Sequence, residues 1–124
     1  MRNYLFVFLG GGLGAAARYW LSGIVYRWVE SDFPYGTLLV NFLGCLLIGL
    51  LMALMQDRFQ VTTALRIFLT IGILGGFTTF STFSYETISL FRDSEYFAAS
   101  ANVLVSMVAC LGGTYGGSVL GRMM

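Results

Sequence analysis

Histidine and lysine are absent from the 124-residue chain, proline occurs once, cysteine twice, and only 10% of residues carry charge. Each shortage removes a class of function. Without histidine, and with Cys45 and Cys110 far apart in separate apolar runs, nothing reads as a zinc or iron site, a disulfide framework or a CxxC motif. No nucleophile stands beside a base, so no enzyme is expected. Seven arginines against six acids leave a net charge of +1, which is no basic face for a nucleic-acid partner. Soluble domains carry about 25% charged residues. A chain this poor in charge cannot clothe its own surface in water.

What the chain has instead is apolar length: 57% of its residues are hydrophobic. A bilayer core takes about 20 mostly apolar residues per helix. Four runs qualify: about Tyr4 to Tyr26, about Gly36 to Gln56, about Ala64 to Phe91 and about Tyr96 to Gly121. The expected fold is an all-α membrane protein, one unit of four transmembrane helices over residues 1–124. Met1, Arg2 and Asn3 lead into the first run without a clear processing site, so it reads as a retained helix. Four spans place both termini on one side. Arg2, Arg58, Arg66 and Arg122 lie on that side, with Arg27, Arg92 and the deep Arg18 on the other. The bias is weak and permits insertion either way round.

The glycines have two readings. Gly10-Gly11-Gly12-Leu13-Gly14 has the look of a phosphate loop but lacks the preceding strand that such a loop needs. Close helix packing suits it better, with Gly10, Gly14, Ala15 and Ala16 on the first helix and Gly112, Gly113, Gly116, Gly117 and Gly121 on the fourth.

The third run is the unusual one. Gly75-Gly76 is followed by Phe77-Thr78-Thr79-Phe80-Ser81-Thr82-Phe83-Ser84, and glycine and threonine both weaken helices. A break is expected near the membrane midplane. The backbone groups it frees are tolerated there only inside protein or beside a watery cavity, and broken helices often form ion sites. The alternative is an unbroken packing helix whose hydroxyls bond back to the preceding turn. Phe77, Phe80 and Phe83 form a stripe at three-residue spacing. Such a stripe is either a lipid-facing or core face or, since ring edges are positive, a set of rings that edge-on to a pore could stabilise a small anion. Asn102, Ser106, Cys110 and Thr114 form a polar stripe on the fourth helix, which either bonds helices together or, beside the third-helix hydroxyls, lines a pathway. Asn41 could bond an anion or link helices. Arg18 could draw anions to a vestibule or mark the interface. Glu86 is an ion pair or cap, or a proton or ion partner.

Three motifs resemble those of the Fluc fluoride channels, also called the CrcB family, and the likeness spans nearly the whole chain. They are Gly11-Gly12-Leu13-Gly14-Ala15-Ala16-Ala17-Arg18, Pro34-Tyr35-Gly36-Thr37-Leu38-Leu39-Val40-Asn41, and Gly75-Gly76-Phe77-Thr78-Thr79-Phe80-Ser81-Thr82-Phe83-Ser84. The resemblance implies a fluoride-selective passive channel that exports fluoride from the cytoplasm across the bacterial inner membrane. It implies an antiparallel, dual-topology homodimer with two pores. Phe80 and Phe83 then match the phenylalanines of the fluoride pathway, Asn41 its asparagine, and Ser81, Thr82, Ser106, Cys110 and Thr114 its polar track. Arg18 matches the vestibule arginine. The carbonyls of Gly75 and Thr78 match those that hold a structural sodium at the dimer centre, with no organic cofactor. Cys110 departs from the pattern, since a hydroxyl is expected there and a thiol is the weaker donor. A small four-helix drug or cation transporter is the main rival, but it needs a first-helix carboxylate where this chain has only Arg18. A non-transporting assembly subunit would leave the hydroxyl-rich third helix without a purpose.

Overall fold

The computed structural model describes residues 1–124 as helices joined by short connections, with no strand. Helix α1 is Arg2–Trp28 and α2 is Tyr35–Asp57, entered directly after Pro34. Proline suits a helix start because its missing N–H would have no partner there anyway. Helix α3, Thr63–Ile67, is capped by Thr62, whose hydroxyl accepts from the Leu65 N–H at 3.2 Å. It runs straight into a π-helical segment, Phe68–Leu74, and a single turn, α4, Gly75–Phe77. The chain then breaks. Thr78 and Thr79 are extended, and α5, Phe80–Arg92, starts afresh. A tight turn through Ser94, at φ 62°, leads to α6, Tyr96–Met123.

Glycine faces set the packing. A Cβ on Gly10 would lie 2.7 Å from the Phe68 carbonyl oxygen, and one on Gly14 would overlap the Ile73 carbonyl. A Cβ on Gly117 would meet Leu46 and Leu50, and one on Gly121 would meet Leu50 and Ala53. Gly112 and Gly116, grouped with them by sequence, meet nothing within the chain, because they lie on the other side of α6. Paired positions reveal helix direction. Residue numbers rise together between α1 and the π segment and between α2 and α6. They run oppositely between α2 and the third run, where Thr37 bonds Glu86 and Asn41 bonds Thr79. Arg122 Nε, 3.9 Å from Asp57 Oδ2, marks the shared C-terminal end of α2 and α6.

Three helical runs are long and apolar enough to cross a membrane: Tyr35–Asp57, Thr63–Arg92 and Tyr96–Met123. At 27 residues α1 matches them in length, but its glycines, tyrosines, tryptophans and Arg18 make it less apolar. Only 20 of 124 residues are buried, and Phe8, Trp20, Leu104, Val108 and Leu111 are among many large apolar side chains left exposed. A chain with so little interior needs an apolar solvent or a partner around it.

Candidate functional site

The site grows out of the break. A continuous helix would send the Thr79 N–H to the Gly75 carbonyl and the Thr82 N–H to the Thr78 carbonyl. Instead Thr79 N donates to Asn41 Oδ1 at 2.8 Å, and Asn41 Nδ2 donates back to the Thr79 carbonyl at 3.0 Å. The Thr82 N–H turns to Thr79 Oγ1 at 3.2 Å, which makes Thr79 the N-cap of α5. Thr79 is itself buried. One side-chain amide and one hydroxyl thus satisfy what the break exposes, in a region where water cannot. They also release the Gly75 and Thr78 carbonyls from their helical partners. The Thr78 carbonyl is approached by Arg18 Nη1 at 3.5 Å.

Around this point lies an open-sided cleft of about 360 Å³. It brings together Asn41, Gly75, Thr78, Phe80, Phe83, Ser106 and Cys110. The Phe80 and Phe83 rings sit 5.4 Å apart at 47°, so neither lies flat on the other and each offers an edge. Phe80 is 75% exposed within the single chain. Of the other residues singled out by sequence, Ser81 and Thr82 are exposed on the flank of α5, where both hydroxyls approach Thr79 Oγ1. Thr82 lines a second cleft, with Arg18, Thr37, Thr79 and Glu86. Thr114 stands two turns from Ser106 and packs its backbone against Gly49. Within one chain, these three lie outside the first cleft.

Several polar residues gain partners that no sequence pattern announced. Ser106 Oγ donates to Asn102 Oδ1 at 3.3 Å, Asn102 Nδ2 to Thr87 Oγ1 at 2.9 Å, and Thr87 Oγ1 to the Phe83 carbonyl at 2.7 Å. Asn102, only 1% exposed, therefore ties the α6 stripe to the backbone that carries Phe83. Glu86 makes no ion pair. Its Oε1 accepts from Thr37 Oγ1 at 2.8 Å and from the Tyr26 hydroxyl at 3.3 Å, while its buried Oε2 has no partner. The signals were there in part: a hydroxyl just before a helix start is a cap, and an amide inside an apolar run must find a partner.

An all-helical chain with three membrane-length apolar runs, one of them broken beside a mainly apolar cleft that carries a few polar groups, is a multi-pass membrane protein. Its relatives narrow the class. The chain belongs to the CrcB family: the family model described as "CrcB-like protein, Camphor Resistance (CrcB)" matches residues 5–118. It is 48% identical to the fluoride-specific ion channel FluC of Geobacter sulfurreducens over 124 residues, all of both chains. It is 49% identical to the protein of that name from Geotalea daltonii over 122 residues, 98% of each chain. To that from Magnetococcus marinus it is 47% identical over 118 residues, 95% of this chain and 96% of the relative.

Proposed function

We propose that this protein is a fluoride-selective passive channel that lets fluoride leave the cytoplasm, and that it works as an antiparallel, dual-topology homodimer in the bacterial inner membrane. The observation that carries the reading is the cleft, in which Asn41, Ser106, Cys110 and the rings of Phe80 and Phe83 meet beside a helix break. Full-length identity to proteins named as fluoride-specific channels accompanies it. Neither rival has comparable support, and an enzyme is excluded by the family.

Fluoride is small and strongly hydrated, so the cleft must replace its water with other donors. The free Nδ2 proton of Asn41, the Cys110 thiol and the positive ring edges of Phe80 and Phe83 supply them within the cleft. The Ser106 hydroxyl joins them by turning its proton away from Asn102, and Ser81, Thr82 and Thr114 extend the track beyond the cleft. Arg18 feeds the vestibule from the second cleft. No energy input is required. Hydrogen fluoride, a neutral weak acid, enters and dissociates, and the membrane potential expels the anion with about 2.3 kcal/mol per 100 mV.

The alternating helix directions support four spans with α1 as the first. The exposure of Phe80 and Gly75 in a single chain supports a second copy covering them. A structural sodium fits the donors present, since the Gly75 and Thr78 carbonyls are hard oxygen ligands freed by the break. A two-fold pair of chains would present each carbonyl twice. Bound there, the ion would neutralise those dipoles and lock the break.

Growth tests the reading in cells. Expression in a fluoride-sensitive bacterium lacking its own exporter is expected to restore growth on fluoride medium, and the Phe80→Ile variant, inserted at the same level, to fail. Equal growth with both would remove Phe80 from the pathway, and no rescue by the parent would remove the function.

A further inference from the structure

The chain has only two cysteines, both free thiols, yet the fold sets them side by side. Cys45 on α2 and Cys110 on α6 are 65 positions apart in sequence but line the same cleft at the α2–α6 interface. The same register brings Gly49 against Thr114, one turn further along both helices. Both cysteines line the cleft of about 360 Å³, and a third sulfur joins them there, that of Met107. Met107 and Cys110 are three residues apart on α6 and so share a face. Two thiols and a thioether thus line one cavity.

We propose that Cys45, Cys110 and Met107 form a binding site for a soft monovalent cation of the copper(I) and silver(I) class. Thiolate and thioether ligands select such ions over sodium, magnesium or calcium, which prefer oxygen. Coordination breaks one S–H bond and forms one thiolate–metal bond, with two further bonds from neutral sulfur lone pairs. The proton leaves to the buffer and no electron is transferred. One thiolate and one monovalent cation make a neutral pair, and the second thiol and the thioether coordinate through lone pairs without changing that. A neutral complex avoids the cost of a net charge at membrane depth. The cation would occupy the space beside Phe80, Phe83 and Ser106, so its presence should obstruct anion passage. That consequence, unlike the site itself, rests on the cleft being the fluoride pathway.

Silver is the probe, because its fluoride and nitrate salts are soluble and chloride can be left out. Purified protein is reconstituted, its free thiols are counted, and silver is titrated while bound metal and released protons are followed. The expected result is one silver and one proton per chain. The Cys45→Ala variant should bind at least roughly 10- to 100-fold more weakly, the loss seen for an indirect supporting partner of a metal site. Met107→Leu should weaken binding by less and leave proton release unchanged. Cys45→Ser, close in volume, serves as the second variant, with elution as an intact oligomer checked for both. Unaltered silver binding by correctly assembled Cys45→Ala and Cys45→Ser would overturn the site, as would a parent protein with no titratable thiols before reduction, which would mean a disulfide. Fluoride efflux is recorded in parallel, each variant against its own silver-free rate. Loss of efflux on silver binding, reversed by a competing thiol, places the metal on the ion's route. Undiminished efflux with silver bound at Cys45 would leave the site standing and contradict the cleft as the pathway.

Discussion

Asn41 shows how much one side chain can carry. Its amide both accepts from and donates to the Thr79 backbone, which leaves the second Nδ2 proton without a partner in the chain. Sequence made Asn41 conspicuous as the lone amide in an apolar run, but could not say which backbone it would meet. Its partner was hidden in the same way: Thr79 looked like one hydroxyl among many, and only the extended backbone before Phe80 turns it into a cap. Asn41→Ala strands a backbone N–H and a carbonyl, each costing about 1–3 kcal/mol when buried without a partner. A lower midpoint of thermal unfolding in detergent is therefore expected, together with reduced flux. A variant as stable as the parent would show that the break does not depend on this clamp.

At the scale of the element, the third run was legible in outline. Two glycines followed by dense hydroxyls predicted a discontinuity, and it falls at Thr78–Thr79. The π segment before it was not foreseen. Its i→i+5 bonding, as from the Gly75 N–H to the Thr70 carbonyl, lies where the segment packs closely on α1 through Gly10 and Gly72, and no local sequence pattern announced it. The glycine faces were only half legible for the same reason. Small residues announce close packing, but which side of the helix meets a neighbour depends on the rotation of the whole rod. Gly14→Ala places a methyl group on the Ile73 carbonyl, where both parties are backbone and neither can yield. Overpacking of this kind costs typically about 1–3 kcal/mol, so Gly14→Ala should lower the yield and thermal stability of folded protein. Gly12→Ala meets open space and should stay within about 0.5 kcal/mol of the parent. Equal loss from both would mean that some surface outside the single chain, rather than α1 packing on the third run, governs these positions.

For the whole molecule, composition announced a membrane protein and the family match agrees. A partner chain and an orientation came only from the family resemblance, because both depend on surfaces and charge balances that one copy does not complete. Phe80 illustrates this: its ring was predicted to face an ion, yet in one chain it is mostly exposed. Dual topology makes a direct prediction. With an arginine bias this weak, a protease-sensitive tag at the C-terminus of protein in sealed cell vesicles of one sidedness should be cleaved in about half the molecules. Complete cleavage or complete protection would establish a single orientation and rule out an antiparallel dimer.

The most direct measurement is made on liposomes holding the purified protein and loaded with either fluoride or chloride salts of potassium. Fluoride release, read with an electrode, should be rapid once valinomycin lets potassium follow, negligible without it, and unmatched by chloride. Comparable chloride release would contradict selectivity, release without valinomycin would contradict a purely electrogenic channel, and no fluoride release from well-folded protein would contradict the channel itself.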